Sequence, residues 1–170
     1  LSGTGTITLQ PYAANRTVNV NRGTADGTNF NLSTAEIAYL VDGWGQITIG
    51  RSDSTTHSIN IGTAGQTTIF TDNLYIYTPA GAYQGGTLNM TGGSSFTTSA
   101  NLDVGGTITT TGGAVTIGGR LYGNGGTIST SGGAVTIGAL YTWDTNIGAT
   151  INSGGGNIVV TGASGEAGTP

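Results

Sequence analysis

The sequence predicts an all-β fold, a parallel β-solenoid (β-helix) with coils of about 20 residues. Three observations predict it. The first is self-similarity at a fixed interval. Gly85–Val104 (GGTLNMTGGSSFTTSANLDV), Gly105–Asn124 (GGTITTTGGAVTIGGRLYGN) and Gly125–Asp144 (GGTISTSGGAVTIGALYTWD) align copy on copy, and a looser copy, GATINSGGGNIVVTG, fills Gly148–Gly162. The second is the size of the interval. Helical repeats take about 30 residues or more and propeller blades about 40, whereas about 20 suits one turn of a β-helix. The third is local pattern. In TIT and VTI the apolar residues alternate with Thr, the period of a strand with one buried face. Gly-Gly and Ser-Gly-Gly supply the corners, because Gly accepts positive φ without steric cost.

Composition agrees. The 170 residues suit one domain. Gly contributes 33, yet only four residues are Arg, none is Lys, and eight are acidic. Disorder usually brings high charge and few β-branched residues; here Ile, Val and Thr are frequent, as in folded β chains. Gly does not recur at every third position, which excludes collagen. The net charge is −4 and Arg16, Arg22, Arg51 and Arg120 are scattered, so no basic stripe supports nucleic-acid binding. Without Cys there is no disulfide or thiolate metal site. The longest apolar run falls far short of the ~20 residues of a membrane span. A chain that opens at Leu1 reads as a mature form or a segment of a longer polypeptide.

Stacking the copies fixes which residues point inward. Leu88, Ile108, Ile128 and Ile151 form one interior column, and Phe96, Val115, Val135 and Ile158 a second. Ile117, Ile137 and Val160 add a third; Leu102, Leu121 and Leu140 line the remaining wall after a register slip of a single position. In the less regular first half, strands are expected at residues 5–9, 17–21, 46–49, 58–61, 67–70 and 74–77. The step from Ile47 to Ile69 is close to one coil. Ser33 and Glu36 stand at capping-box spacing, and Ile37, Leu40 and Val41 share a helical face, so a short helix is expected over 34–41, on the flank of the rod or over one end. Residues 1–162 therefore read as a single solenoid, irregular over 1–84 and regular over 85–162. Residues 163–170 read as a tail or a linker to a next unit. About eight coils at the ~4.8 Å strand spacing would make a rod roughly 40 Å long.

Leu32–Ile61 (LSTAEIAYLVDGWGQITIGRSDSTTHSINI), followed by the GGTITTTGGAVTIG coils, resembles the β-strand-repeat segments of very large bacterial surface proteins. These are akin to filamentous haemagglutinin and frequent in cyanobacteria, and the resemblance covers most of the chain. It implies a right-handed parallel β-solenoid, export to the cell surface, and a role in adhesion, sheath or filament formation. The amino-terminal secretion domain that haemagglutinin-like exoproteins carry is not part of this sequence.

Residues for chemistry are sparse. Lyases and hydrolases on β-helical scaffolds need paired carboxylates, one as acid and the other as base or nucleophile. Asp26, Glu36, Asp42, Asp53, Asp72, Asp103, Asp144 and Glu166 are spread singly, and no two fall at equivalent coil positions. Most sit beside Gly, Ser or Asn, where a turn role is the default. The one ionisable cluster, GRSDSTTHS (residues 50–58), holds Arg51, Asp53 and the sole His57. It shows neither a nucleophile elbow nor an oxyanion hole, and reads as an exposed polar loop with an Arg51–Asp53 contact. The Gly-Gly pairs lack the Asp of calcium-binding β-rolls, leaving at most a single ion at Asp53 or Asp103. The chain is thus expected to be no enzyme and to need no cofactor.

Two outward patterns remain. Thr87/Asn89, Thr107/Thr109, Thr127/Ser129 and Thr150/Asn152 repeat a T-x-[TNS] pair on successive coils. Such arrays occur on ice-binding solenoids and also arise simply as solvated residues of high β-propensity. Tyr122 and Tyr141, about one coil apart, with Trp143 nearby, form a candidate aromatic platform for sugar rings or a lateral contact, and Tyr75, Tyr77 and Tyr83 another. The sequons at Asn15, Asn31 and Asn89 are weak signals. The function expected is a structural extracellular building block of a cell-surface fibre, sheath or adhesin. Its partners are other copies, or adjoining repeats of a longer chain, stacked end to end. The alternative is a glycan- or ice-binding module that uses the aromatic or Thr face.

Overall fold

Alternating apolar and Thr positions become strands, and Gly pairs become corners. The computed structural model describes residues 1–23, 27–141 and 148–164. The chain enters through β1 (Thr6–Leu9), β2 (Val18–Val20) and β3 (Phe30–Leu32), then a single helical turn, α1 (Thr34–Ile37). Three regular turns follow. The first holds β4 (Gln46–Gly50), β5 (Ile59–Ile61) and β6 (Thr67–Phe70). The next holds β7 (Leu74–Tyr77), β8 (Ala82–Gln84) and β9 (Thr87–Met90), and the third β10 (Phe96–Thr98), β11 (Leu102–Val104) and β12 (Thr107–Thr110). In later turns one bent strand serves two walls: β13 (Val115–Gly123) precedes β14 (Thr127–Ser129), and β15 (Val135–Tyr141) precedes β16 (Thr150–Asn152). β17 (Ile158–Val160) and β18 (Ala163–Ser164) begin a further turn.

All the described ladders are parallel, and three walls result. The first stacks β1-β4-β7-β10-β13-β15-β17, the second β3-β2-β5-β8-β11-β13-β15-β18, and the third β6-β9-β12-β14-β16. The fold is the expected parallel solenoid. Its third wall has five strands, so about five turns are complete, not eight. The reason is in the register. From Ile7 the first-wall column passes to Ile47, Leu74, Phe96, Val115, Val135 and Ile158. From Leu74 onward each step is close to one coil, but the step from Ile7 to Ile47 is nearly double that. The chain from Ile7 to Ile47 thus advances the first wall by one strand only. Seven stacked strands span about 29 Å by the usual spacing.

The core is a set of like-on-like columns. Leu88, Ile108 and Ile128 are fully buried in register, and Ile151 is partly buried at the end. Phe96, Val115 and Val135 are buried, whereas Ile158 at the end of its column is exposed. Leu102, Leu121 and Leu140 align, the first two buried but Leu140 36% exposed, and the register slips between Ile117 and Arg120 as expected. One spacing was misleading. Ile47 stacks not on Ile69 but on Leu74, further along the chain. Ile69 lies on the third wall beside Asn89 and points outward, 52% exposed, while Thr68 takes the inward place. The pattern TTIF permits either face, and the neighbouring column selects the register.

The corner residues divide their work. Gly112 and Gly132 adopt φ of +99° and +108° with open space where a side chain would stand. Gly113 and Gly133 instead pass so close to the previous turn that a Cβ would overlap the carbonyls of Ser94 and Gly113. Thr110 and Thr130, fully buried, complete the corner. Thr110 Oγ1 donates to Gly113 O and lies 3.2 Å from Thr130 O; Thr130 Oγ1 repeats this toward Gly133 O and Ser153 O. These Thr residues are therefore core members, not solvated ones, since buried carbonyls need donors.

The helix is shorter than expected. Ser33 and Glu36 do form the reciprocal capping box, with Ser33 N donating to Glu36 Oε2 at 2.8 Å. Helix geometry stops at Ile37, so Ile37 is buried, Leu40 partly buried and Val41 53% exposed. By its place in the chain α1 fills the position of a third-wall strand in the turn before β6. A cavity of about 470 Å³ lies between Ile37–Asp42 and β6.

Thr→Val substitutions at two nearby positions should separate the faces. Thr130→Val removes the one hydroxyl donor from the buried Gly133 carbonyl and is expected to cost about 1–3 kcal/mol. Thr127→Val, on the outer face, should stay within about 0.5 kcal/mol. Chemical denaturation measures both, and equal losses would contradict the assigned inward face.

Candidate functional site

Parallel register turns a residue type that recurs once per turn into a surface column. On the third wall the column is Thr67, Thr87, Thr107, Thr127, Thr150, flanked by Ile69, Asn89, Thr109, Ser129, Asn152. The expected Thr pairs are thus brought together, with Thr67 added as a fifth member.

The second wall carries a more varied column: Asn31, Asn19, Asn60, Tyr83, Asp103, Tyr122, Tyr141. Its first half is an amide ladder. Asn60 Nδ2 donates to Asn19 Oδ1, and Asn19 Nδ2 to Asn31 Oδ1, each at 3.0 Å; Asn31 Nδ2 ends the run on Asn29 O at 3.2 Å. Its second half is aromatic. Tyr122 and Tyr141 meet with centroids 4.9 Å apart at 50°, as their spacing predicts. The Arg120 guanidinium lies 5.4 Å from the Tyr141 ring centre, and that of Arg22 5.2 Å from Tyr83. Tyr83 does not join Tyr75 and Tyr77, which pair on the first wall at 6.3 Å. Trp143 lies outside the described residues.

Asp103 sits between Tyr83 and Tyr122 in mid-strand, not in a turn. Its Oδ1 is shut in with no hydrogen-bond partner, and partial burial pushes the carboxyl above its ordinary pKa. Beside it opens a groove of about 410 Å³, walled by Tyr83 and Tyr122 and rimmed by Asn60 and Asn101. Sequence reading missed the Tyr83–Asp103 neighbourhood, although the step from Tyr83 to Asp103 to Tyr122 follows the repeat. Comparing carboxylates only with other carboxylates hid it.

The GRSDSTTHS segment makes the expected Arg51–Asp53 contact at the surface, with Asp53 63% exposed, and buries only Gly50, Ser54 and His57. Arg51 engages both oxygens of Asp53, at 2.8 and 2.5 Å, which holds that carboxyl below its ordinary pKa. Its NH1 also donates to the carbonyls of Pro11 (2.9 Å) and Tyr12 (2.7 Å). A cation at Asp53 would have to compete with that guanidinium. His57, expected to be exposed, is 1% exposed. Its Nε2 lies 2.8 Å from Tyr77 O, which only accepts, and 3.4 Å from the Arg51 backbone N–H, which only donates; the shorter contact favours the proton on Nε2, and the longer one is then no hydrogen bond. Its Nε2 meets only backbone groups and its Nδ1 has no partner, so no hydroxyl–imidazole pair forms there. Two other buried polar groups gave no sequence signal. Gln84 Nε2 reaches Thr107 O at 3.2 Å, and Asp72 Oδ1 accepts from Gly43 N at 3.0 Å. Among the described residues no three His, Cys, Asp or Glu side chains converge as a metal site would require. Asp26, Asp144 and Glu166 lie outside the described residues.

No protein-family model, curated protein or solved structure matches this chain. Fold and surface define its class as a parallel β-solenoid with one Thr face and one amide–aromatic face.

The carboxylates set opposing pH trends. Above the ordinary Asp pKa of about 3.9, folded Asp103 retains a proton that the unfolded chain has released. Its contribution therefore falls as pH rises through that window. Glu36, held low by its bonds to Ser33, and Asp53 act in the other direction: their stabilisation is lost as pH falls below about 4. Asp103→Asn is expected to be at least as stable as the parent at pH 7, with the gap opening as pH rises above about 4. Urea midpoints from pH 3 to 8 test this; a parent more stable than the variant at pH 7 would contradict it.

Proposed function

We propose that the chain is a structural segment of an extracellular, cell-surface fibre, sheath or adhesin, built by stacking solenoid ends. One observation carries the reading. Ile158 and Val160 continue two inward columns into the last turn, yet are 49% and 40% exposed, with Val159 at 45%. Among the described residues β17 pairs only with β15, so its other edge offers free backbone donors and acceptors. Such an edge is a template for a further strand.

The opposite end carries the matching half. Ile7 and Leu9 of β1 start the same two columns, and among the described residues β1 pairs only with β4. A turn placed on β17 by a second copy, or by an adjoining repeat, extends columns already built. Head-to-tail contacts of this kind do not close and give filaments. Sparse charge leaves little repulsion against end-to-end approach. The resemblance to haemagglutinin-like repeats supports the cell-surface setting.

Sedimentation and electron microscopy of the 170-residue chain test the reading. Linear oligomers should grow with concentration, and Ile158→Lys with Val160→Lys should abolish them. A chain that stays monomeric at millimolar concentration would sink stacking of separate copies, and oligomers that survive the double substitution would sink stacking through these ends.

The five-member Thr column supports a second reading, in which the third wall orders water and binds ice. Thermal hysteresis that disappears in Thr107→Tyr is the outcome expected of it; absence of hysteresis in the parent removes it.

A further inference from the structure

We propose that the groove beside Asp103 is a carbohydrate subsite that takes one neutral pyranose ring of a glycan. It lies on the outer face of the second wall and does not depend on end stacking. Tyr83 and Tyr122 stand one turn before and one turn after Asp103, so their Cα atoms are about 9.6 Å apart, two strand spacings. The groove's volume of about 410 Å³ has room for one saturated ring. Both walls are braced before anything binds. Arg22 lies over Tyr83, and Tyr141 backs Tyr122. Tyr83 also rests on a glycine floor, since a Cβ at Gly85 or Gly105 would crowd its ring or hydroxyl. Preorganised aromatic walls lose little freedom on binding.

The polar groups select the occupant. A sugar hydroxyl both donates and accepts, and the groove presents both partners. Asp103 is an acceptor: its Oδ1 is enclosed without a protein donor, which leaves Oδ2 as the oxygen open to a ligand hydroxyl. Asn101 turns its Oδ1 to the Arg120 N–H at 2.8 Å, which leaves its Nδ2 as a donor. Asn60 engages Asn19 through Nδ2, which leaves its Oδ1 as an acceptor. A bare cation calls for acceptors alone and gains nothing from the Asn101 amide. An acidic sugar meets the Asp103 charge at close range. A neutral ring with adjacent hydroxyls satisfies both amides and the carboxylate, while its C–H face lies against Tyr122. A partner-free carboxylate in a strand, where Asn or Thr would stack without cost, is a feature that stability alone does not call for.

The test is a printed array of neutral oligosaccharides with mannose, glucose and galactose termini, alongside sialylated glycans and spermidine. Binding to at least one neutral terminus is expected, weakened at least tenfold by Asp103→Asn and by Tyr122→Ala and unchanged by Thr127→Ala. Circular dichroism of each variant separates loss of binding from loss of fold, and Asp103→Asn is the variant expected to fold as well as the parent. No binding to any neutral glycan, retention of binding in both groove variants, or selection of sialylated glycans or spermidine would overturn the proposal. Sedimentation of the same groove variants should still show end-to-end assembly, so failure of the subsite and failure of the fibre reading are told apart.

Discussion

Everything in this molecule depends on one constraint: a parallel, in-register ladder places each residue directly on its counterpart one turn earlier. Backbone hydrogen bonds run between turns, for example Val115 N to Ala134 O at 2.9 Å and Thr107 N to Gly86 O at 2.9 Å. Strand spacing is then common to every wall, and the side chains must tolerate their own kind as neighbours. Ile on Ile packs into a core. Asn on Asn donates and accepts along a ladder. Glycine on glycine lets corners approach more closely than any Cβ permits. Asp on Asp would repel, and the described columns nowhere stack one carboxylate on another.

The same constraint turns sequence period into surface chemistry. One outward residue type repeated per turn becomes a line of identical groups, as with the five Thr residues of the third wall. A break in the line is then informative. Asp103 interrupts a run of tyrosines, and it is there that the surface carries an enclosed, unpaired carboxylate oxygen and a groove. The helix α1 is a break of another kind. Its capping box ends the sheet pattern locally and fills a third-wall position with Ile37 packed into the core.

Much of this was legible in the sequence, for stated reasons. The columns from Leu88 to Ile151 and from Phe96 to Ile158 follow from a fixed offset and strict alternation. Most of the strands expected before Thr78 begin or end close to their place, and Thr67–Phe70 and Leu74–Tyr77 match at both ends. What failed had physical causes. Ile69 looked inward because it is apolar, but the face of a strand is set by the column beside it. Thr110 and Thr130 gave no inward signal because they are polar, yet corner carbonyls need buried hydroxyl donors. His57 looked exposed because its neighbours are polar, whereas Arg51 folds that loop onto Pro11 and Tyr12. The count of turns was too high because loops before Gln46 lengthen the chain without adding a first-wall strand. Tyr122 and Tyr141 were found by their spacing; Tyr83 and Asp103 required the register.

The central claim is parallel, in-register stacking through every turn, and one distance tests it most directly. The chain has no Cys, so Thr67→Cys and Thr150→Cys place a single pair of nitroxide labels at the two ends of the outer Thr column. Pulsed electron–electron resonance should give a narrow distribution near about 19 Å, four strand spacings. A broad distribution, or one centred beyond about 30 Å, more than six such spacings, would contradict the account.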